Sequence, residues 1–175
     1  MENAGTIHLN LLEHPEYYNE FLLTCKYAAS IDGDNYNDID TYEYDYISLC
    51  ITDRIIAFSG LMKGRWGNGI GRVATRLWVD PEYRMIGGRP SAFNSTIMMP
   101  EQTRFAEKNG YNCVFFSREK GGKHFDYICQ RSTDACPYGY MYTPAGKVQV
   151  SNSTWQYIAV CSFTGEQYDI QYQSK

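Results

Sequence analysis

Residues 44–80 hold three runs rich in β-branched and aromatic residues, set close together: "YDYISLCIT" (44–52), "IIAFSGLMK" (55–63) and "GRVATRLWVD" (71–80). Asp53-Arg54 leaves room only for a tight turn between the first two, so they pair as an antiparallel hairpin. The glycine-rich "RWGNGIG" (65–71) joins the second to the third, and its glycines suit turn geometry. A fourth run, "YNCVFFS" (111–117), is continuously apolar, as expected of a central strand. The stretch before it holds a helix somewhere within 90–109, ending at Asn109-Gly110, where glycine suits a left-handed cap. Ile97, Met98, Phe105 and Ala106 are candidates for its buried face. A strand–helix–strand crossover therefore joins the third strand of the meander to the next.

The flanks complete the pattern. "TIHLNLL" (6–12) reads as a first strand. His14-Pro15 opens a helix, since proline is favoured at the first helical position and Glu16 suits the positive end. Tyr18, Phe21, Leu22, Cys25 and Ala29 recur at helical spacing, and Gly33 with its Asp/Asn run ends the helix. "GGKHFDYICQ" (121–130) is a short helix. "GYMYTPAGKVQVS" and "TWQYIAVCSF" are two last strands, with a turn expected around Pro144-Ala145-Gly146. The polar tail "GEQYDIQYQSK" is a loose or edge segment. The expectation is one α+β domain spanning residues 1–175, with a mixed, mostly antiparallel central sheet and flanking helices. Its length suits a single sizeable core.

Composition excludes several classes. No apolar run is long enough to span a bilayer, and "MENAGTIHLN" lacks the basic and apolar regions of an export signal. The six cysteines are scattered without a C-x-x-C pair, and the three histidines lie at no ligand spacing from them, so no metal site is expected. A cytoplasmic location, no membrane partner and buried reduced thiols are the expectation. The formal net charge of -4 argues against nucleic acid as a partner. That charge is uneven: residues 32–46, "DGDNYNDIDTYEYDY", carry six carboxylates and no basic residue, while Lys63, Arg65, Arg72, Arg76, Arg84 and Arg89 crowd residues 63–89. This reads either as two ligand zones of opposite sign or as two solvated faces.

The stretch "LWVDPEYRMIGG", leading to a helix that closes with "FAEKNGYNCVFFS", resembles the GNAT superfamily of N-acetyltransferases. The resemblance rests on Val79, Pro81 and Arg84 as a V-x-P-x-x-R element, on the Gly87-Gly88 turn, and on Ala106, Gly110 and Tyr111 before the next strand. It covers roughly residues 55–117, and the topology extends it to the rest. It implies a sheet splayed between its fourth and fifth strands, with acetyl-CoA as co-substrate in the gap. Backbone groups of Leu77, Trp78 and Val79 would line the pantetheine arm. The pyrophosphate would rest on helix-start amides near Gly87 and Gly88, with Arg84 and Arg89 adding charge.

This chain departs from the family pattern at three points. At the cradle Arg89 stands where a small residue is usual and Pro90 has no N–H to donate; the stretch from Arg84 to Gly110 is longer by about six residues; and Pro100, inside that extra length, should kink or restart the helix. The resemblance also implies direct attack of an amine on the thioester, which needs a base, an oxyanion donor and an acid. The oxyanion donor would be a backbone N–H near Val79, and Tyr127 holds the acid's position. The fourth strand offers no carboxylate or histidine before Asp80, leaving Glu43 or Asp45, acting through water, as base. The acidic run falls where the family builds its acceptor wall, which favours a cationic primary amine on a small molecule or a protein. The same run read as a calcium loop from Asp32 is spoiled by Tyr36 and Asn37. The competing reading is a non-catalytic interaction or structural protein on the same fold, for example a component of a phage particle. A homo-oligomer is left open.

Overall fold

The computed structural model describes residues 5–37, 39–66, 69–118, 123–149, 154–166, 168 and 170–174. The meander predicted from residues 44–80 is present: β2 (Tyr44–Ile51), β3 (Ile55–Trp66) and β4 (Gly69–Val79) form successive antiparallel pairs, and β1 (Ile7–Asn10) adds to β2 on the outside. The β3–β4 hairpin runs several residues further than its apolar pattern indicated, to Trp66 opposite Gly69. Residues 67 and 68 of the expected turn lie outside the described residues. Between β4 and the helix stands a small hairpin, β5 (Met85–Ile86) and β6 (Arg89–Pro90), paired only with each other. Strands β7 (Cys113–Arg118), β8 (Thr143–Gln149), β9 (Trp155–Ser162) and β10 (Ile170–Ser174) complete the main sheet. Its order among the described residues is β1-β2-β3-β4-β7-β9-β8-β10. β4–β7 and β8–β10 are its parallel pairs. The α+β class and the mixed, mostly antiparallel sheet are as expected.

Helix α1 (Tyr18–Asp32) follows a 3-10 turn that starts at Pro15. It buries Phe21, Cys25, Ala28 and Ala29, while Tyr18 and Leu22 stay exposed, so its inner face is narrower than the sequence spacing indicated. Beneath it Phe21 meets Phe58 edge-on at 5.4 Å, and Phe58 stacks on Trp78 at 5.5 Å. This aromatic packing centres the N-terminal half of the sheet.

The opposite face carries α2 (Met99–Lys108) and, further along, α3 (Lys123–Ala135). Pro100 does not break the helix. Proline cannot donate to the carbonyl four residues back and its ring crowds that group. The chain answers with a π turn over Asn94–Met98, closed by the N–H of Met99 on the carbonyl of Asn94, and runs on into α2. The helix ends as predicted. Gly110 takes φ +77°, Tyr111 N donates to Ala106 O at 3.0 Å and Gly110 N to Glu107 O at 3.1 Å, the double bond of a Schellman cap. Helix α3 is longer than expected and buries Phe125, Cys129 and Ser132 at helical spacing, with Phe125 and Cys129 packed on Ala159 of β9.

The turn expected at Pro144–Gly146 is corrected. These residues lie within β8, with Pro144 opposite Ala159 and Gly146 opposite Ile158. Pairing with β10 begins only at Gly146, so Pro144 gives up no ladder bond on that side. The polar tail forms the edge strand β10. All six cysteines are buried. No helix among the described residues is long and apolar enough to cross a membrane.

Candidate functional site

Strand β4 is bonded to β3 from Gly69 to Val79, but it meets β7 only at Arg72 opposite Val114 and Val73 opposite Phe115. Beyond these two positions the strands part, so the splay implied by the resemblance is present. Two local features hold β4 away from β7. The first is a bulge. Phe58 faces Trp78 while Gly60 faces Thr75, so Ser59 alone opposes Arg76 and Leu77. Arg76 takes φ +58°, a left-handed conformation that costs a residue with a side chain about 1–2 kcal/mol. Beside the bulge, at Gly60 opposite Thr75, the ring of Tyr44 occupies the space a side chain would need, so glycine is required there.

The second feature is a clamp from the α1 side. Asp32, the last residue of α1, accepts from Trp78 Nε1 at 2.8 Å and from Arg84 Nη2 at 2.5 Å. Arg84 Nε also donates to the carbonyl of Val79 at 2.8 Å, and the hydroxyl of Tyr36 donates to that of Leu77 at 2.8 Å. The hydrogen bond from the Arg84 guanidinium, aided by the indole of Trp78 and the guanidinium charge, holds the Asp32 carboxyl below its ordinary range against the opposing effect of burial. Asp80 N donates to Ile56 O at 2.7 Å, so residues 78 and 80 face β3, while Leu77 and Val79 turn both backbone groups to the open edge. Their carbonyls are taken by Tyr36 and Arg84. What this edge offers a ligand is N–H.

The gap is a cavity of about 440 Å³, within the range of small-molecule sites. Its inner wall is apolar, with Met99, Phe116, Tyr142 and Ala159. Thr75, Arg76, Leu77 and Val79 supply one side, Ser117 and Arg118 the other. Ser91, Asn94 and Ser95 border it at the start of the helix, and His124, Tyr127 and Arg131 border it from α3. Among the described lining residues the charged ones are arginines, and no carboxylate is among them. Burial pushes the Cys129 thiol in this wall up to about 11, so it stays protonated.

The residues singled out from the sequence are distributed unevenly around this cavity. Leu77 and Val79 border it, and so does Tyr127, which is 61 % exposed. Trp78 belongs to the same strand but points the other way, buried under α1, and does not plug the gap. Arg84 is occupied by Asp32 and the Val79 carbonyl. Gly87 and Gly88, with φ +60° and +77°, form the two-residue turn of the β5–β6 hairpin, and neither they nor Arg89 border the cavity. The expectation that this turn feeds directly into the helix is thereby corrected. The hairpin takes up the extra length, and the helix starts at Phe93 instead. Glu43 lies exposed in a 3-10 turn before β2, and Asp45 forms an ion pair with Arg72, whose guanidinium lies 3.5 Å over the Tyr111 ring. Neither carboxylate borders the cavity.

The acidic run is therefore not a separate wall. Asp32 and Asp45 reach arginines of the basic run, Asp40 caps the turn at Thr41 by accepting from Tyr42 N, and Asp38 lies outside the described residues. Among the described residues no three His, Cys, Asp or Glu side chains gather as a metal site. Sequence reasoning missed Ser91, Asn94, Ser95, Arg118 and Arg131. The helix was placed correctly, but its first residue depends on the hairpin that a GG dipeptide alone does not distinguish from a cradle.

No family model matches the chain, and no curated protein does. Solved structures do. A GNAT-family protein from Desulfovibrio desulfuricans superposes with a TM-score of 0.59 at 7% identity, covering 90% of this chain and 98% of that one. Naa50 of Arabidopsis thaliana, solved with the bisubstrate analogue CoA-Ac-MVNAL, gives 0.57 at 12% identity, with 91% and 99% covered. The CoA-dependent acyl-homoserine lactone synthase BjaI, solved with SAM and isopentyl-CoA, gives 0.54 at 14% identity, with 95% and 91% covered. At such identities the likeness establishes the fold, and the fold is that of the GNAT acetyltransferases.

Proposed function

We propose that this protein is an acyl-CoA-dependent N-acyltransferase that moves an acetyl group from acetyl-CoA to a primary amine. The observation that carries the reading is the cavity between β4 and β7: open, apolar inside, bordered by arginines and a helix start, and free of carboxylates among its described lining residues. The residues fit the donor in kind. The N–H groups of Leu77 and Val79 suit the carbonyls of a pantetheine arm, and the apolar wall suits its alkyl segments. Phosphate belongs at Ser91, Asn94 and Ser95, where hydroxyls, an amide and unpaired helix N–H groups converge, with Arg118 and Arg131 adding charge at the rim.

The thioester supplies an acyl carbon activated toward amines. The amine nitrogen attacks that carbon, the C–S bond breaks, and the thiolate takes up a proton as the amide forms. Val79 N–H donates to the carbonyl oxygen as it gains charge. Tyr127, at the mouth on α3, protonates the departing sulfur. Asp45 is withdrawn from base duty by Arg72, and since Glu43 also stands outside the cavity the amine's proton passes to water. A cationic acceptor, expected from the acidic run, would be met by Asp34, Asp40 and Glu43, which are exposed outside the cavity.

The non-catalytic reading draws on the clamped Arg84 and on the hairpin that replaces a glycine cradle. Titration calorimetry separates the two. Acetyl-CoA is expected to bind wild type with measurable heat, and an Asn94→Ala, Ser95→Ala double variant to bind about tenfold more weakly, the loss of roughly one charge-assisted hydrogen bond. No heat from wild type at millimolar acetyl-CoA would sink the enzyme reading.

A further inference from the structure

Arg76 stands out among the cavity residues. It sits at the bulge with φ +58°, half-buried, and its Nε is buried with no hydrogen-bond partner. Arg54, Arg72 and Arg84, on or near β3–β4, each carry at least one ion pair with a carboxylate; Arg76 has none among the described residues. Its charge reaches the hydroxyls of Tyr36 and Tyr44, partly opposing the rise that burial gives both. Both tyrosines belong to the packing under α1, the face of the sheet opposite the helix start at Asn94. A guanidinium with an unused buried donor, on the far side from the phosphate-type groups, is costly unless an anion meets it.

The geometry points to an acceptor whose amine is accompanied by a carboxylate, as in an α-amino acid, with the Arg76 guanidinium holding that carboxylate at the β4 bulge. This rests on the acyltransferase reading above and gives the acceptor an anionic group that the acidic run did not imply. Arginine's planar fork suits a carboxylate, and a carboxylate fixed at Arg76 leaves the neighbouring amine nitrogen beside the open edge of β4. The reaction balances as before: the amine nitrogen forms the new N–C bond, the thioester C–S bond breaks, and one proton passes from nitrogen to the medium while the thiolate gains one.

The test compares L-phenylalanine with L-phenylalaninamide as acceptors, using acetyl-CoA as donor. At or below neutral pH the less basic amide has the larger fraction of free amine, so a preference for the free acid there does not come from amine basicity. Wild type is expected to favour the acid by at least about tenfold in kcat/KM. Arg76→Gln is expected to remove that preference by weakening the acid alone, Arg76→Lys to restore part of it, and calorimetry to give all three proteins acetyl-CoA affinities within about twofold. Circular dichroism melts confirm that each variant is folded, and the wild-type comparison stands without any variant. An amide used as well as the acid by wild type overturns the inference and leaves the donor reading intact. Loss of acetyl-CoA affinity in Arg76→Gln with an unchanged acid-to-amide ratio also overturns it, by placing the guanidinium on the donor. Absence of acetyl-CoA heat in wild type removes both readings together.

Discussion

The two edges of β4 are made from one stretch of chain and behave in opposite ways. Toward β3 the strand is laddered to its last residue and continued by the bond from Asp80 N to Ile56 O. Toward β7 it is bonded at Arg72 and Val73 and then leaves. An unpaired strand edge inside a domain exposes donors and acceptors that need partners. Here the acceptors have them, in Tyr36 and Arg84, and the donors face the cavity. The difference teaches that the gap is built from the closed side. The bulge turns the strand, and Trp78, Asp32 and Arg84 hold its end against α1, while β7 stays fully paired with β9. The gap lies between two well-made half-sheets and is no defect in either.

Removing the anchor should show the largest effect. Trp78 is 2 % exposed, stacks on Phe58, meets Tyr27 edge-on at 6.0 Å and donates to Asp32. Trp78→Ala is expected to cost about 3–5 kcal/mol in urea unfolding, the usual range for a buried large aromatic. If the closed edge holds the gap open, acetyl-CoA affinity falls as well, at temperatures where the variant is folded. An affinity equal to wild type in a destabilised variant would break the link between the two edges.

The same contrast explains what the sequence could reveal. Alternating and continuous apolar runs report which residues are buried, so the meander, the central strand at Cys113–Arg118 and the Gly110 cap were legible. The V-x-P-x-x-R element also marked the correct strand, and Leu77 and Val79 do face the gap. Arg84 was legible as the arginine of that element, beside glycines, but its partner Asp32 is fifty-two residues away, and no local pattern carries that pairing. The glycines were ambiguous in a physical sense. A positive φ is what both a phosphate-cradling loop and a two-residue hairpin turn require. The left-handed Arg76 was invisible, because arginine has no preference for that conformation and the bulge is imposed by the register across β3.

Loosening the clamp without creating a void gives a smaller effect. Asp32→Asn keeps the shape but removes the negative charge to which Trp78 and Arg84 both donate, and is expected to cost about 1–2 kcal/mol at this partly exposed site. Its pH dependence identifies the cause. The folded carboxyl titrates below its ordinary value of 3.8, so between the two values the unfolded chain binds more protons. The stabilisation is complete above about pH 5 and is lost as pH falls through the folded value. The difference in unfolding free energy between wild type and Asp32→Asn should therefore be flat from pH 5 to 8 and narrow below pH 4. A difference that does not narrow on acidification would assign the effect to packing, and the clamp would lose its electrostatic basis.

The smallest effect is expected at the hairpin, and it separates turn glycines from cradle glycines. Gly87 and Gly88 are exposed, and nothing lies within 4 Å of where a Cβ would sit on either, so steric contact does not require glycine there. Their positive φ does, and Gly88→Ala should cost about 1 kcal/mol through backbone strain alone. Acetyl-CoA affinity should stay at the wild-type value, since neither glycine borders the cavity, in contrast to the tenfold loss expected from Asn94→Ala with Ser95→Ala. Should Gly88→Ala weaken acetyl-CoA as much as that double variant does, the phosphates would rest on the hairpin, and the helix start would not be their seat. The two measurements therefore decide whether the anionic end of the donor is read by the strand-to-hairpin turn or by the π turn that Pro100 places at the head of the helix.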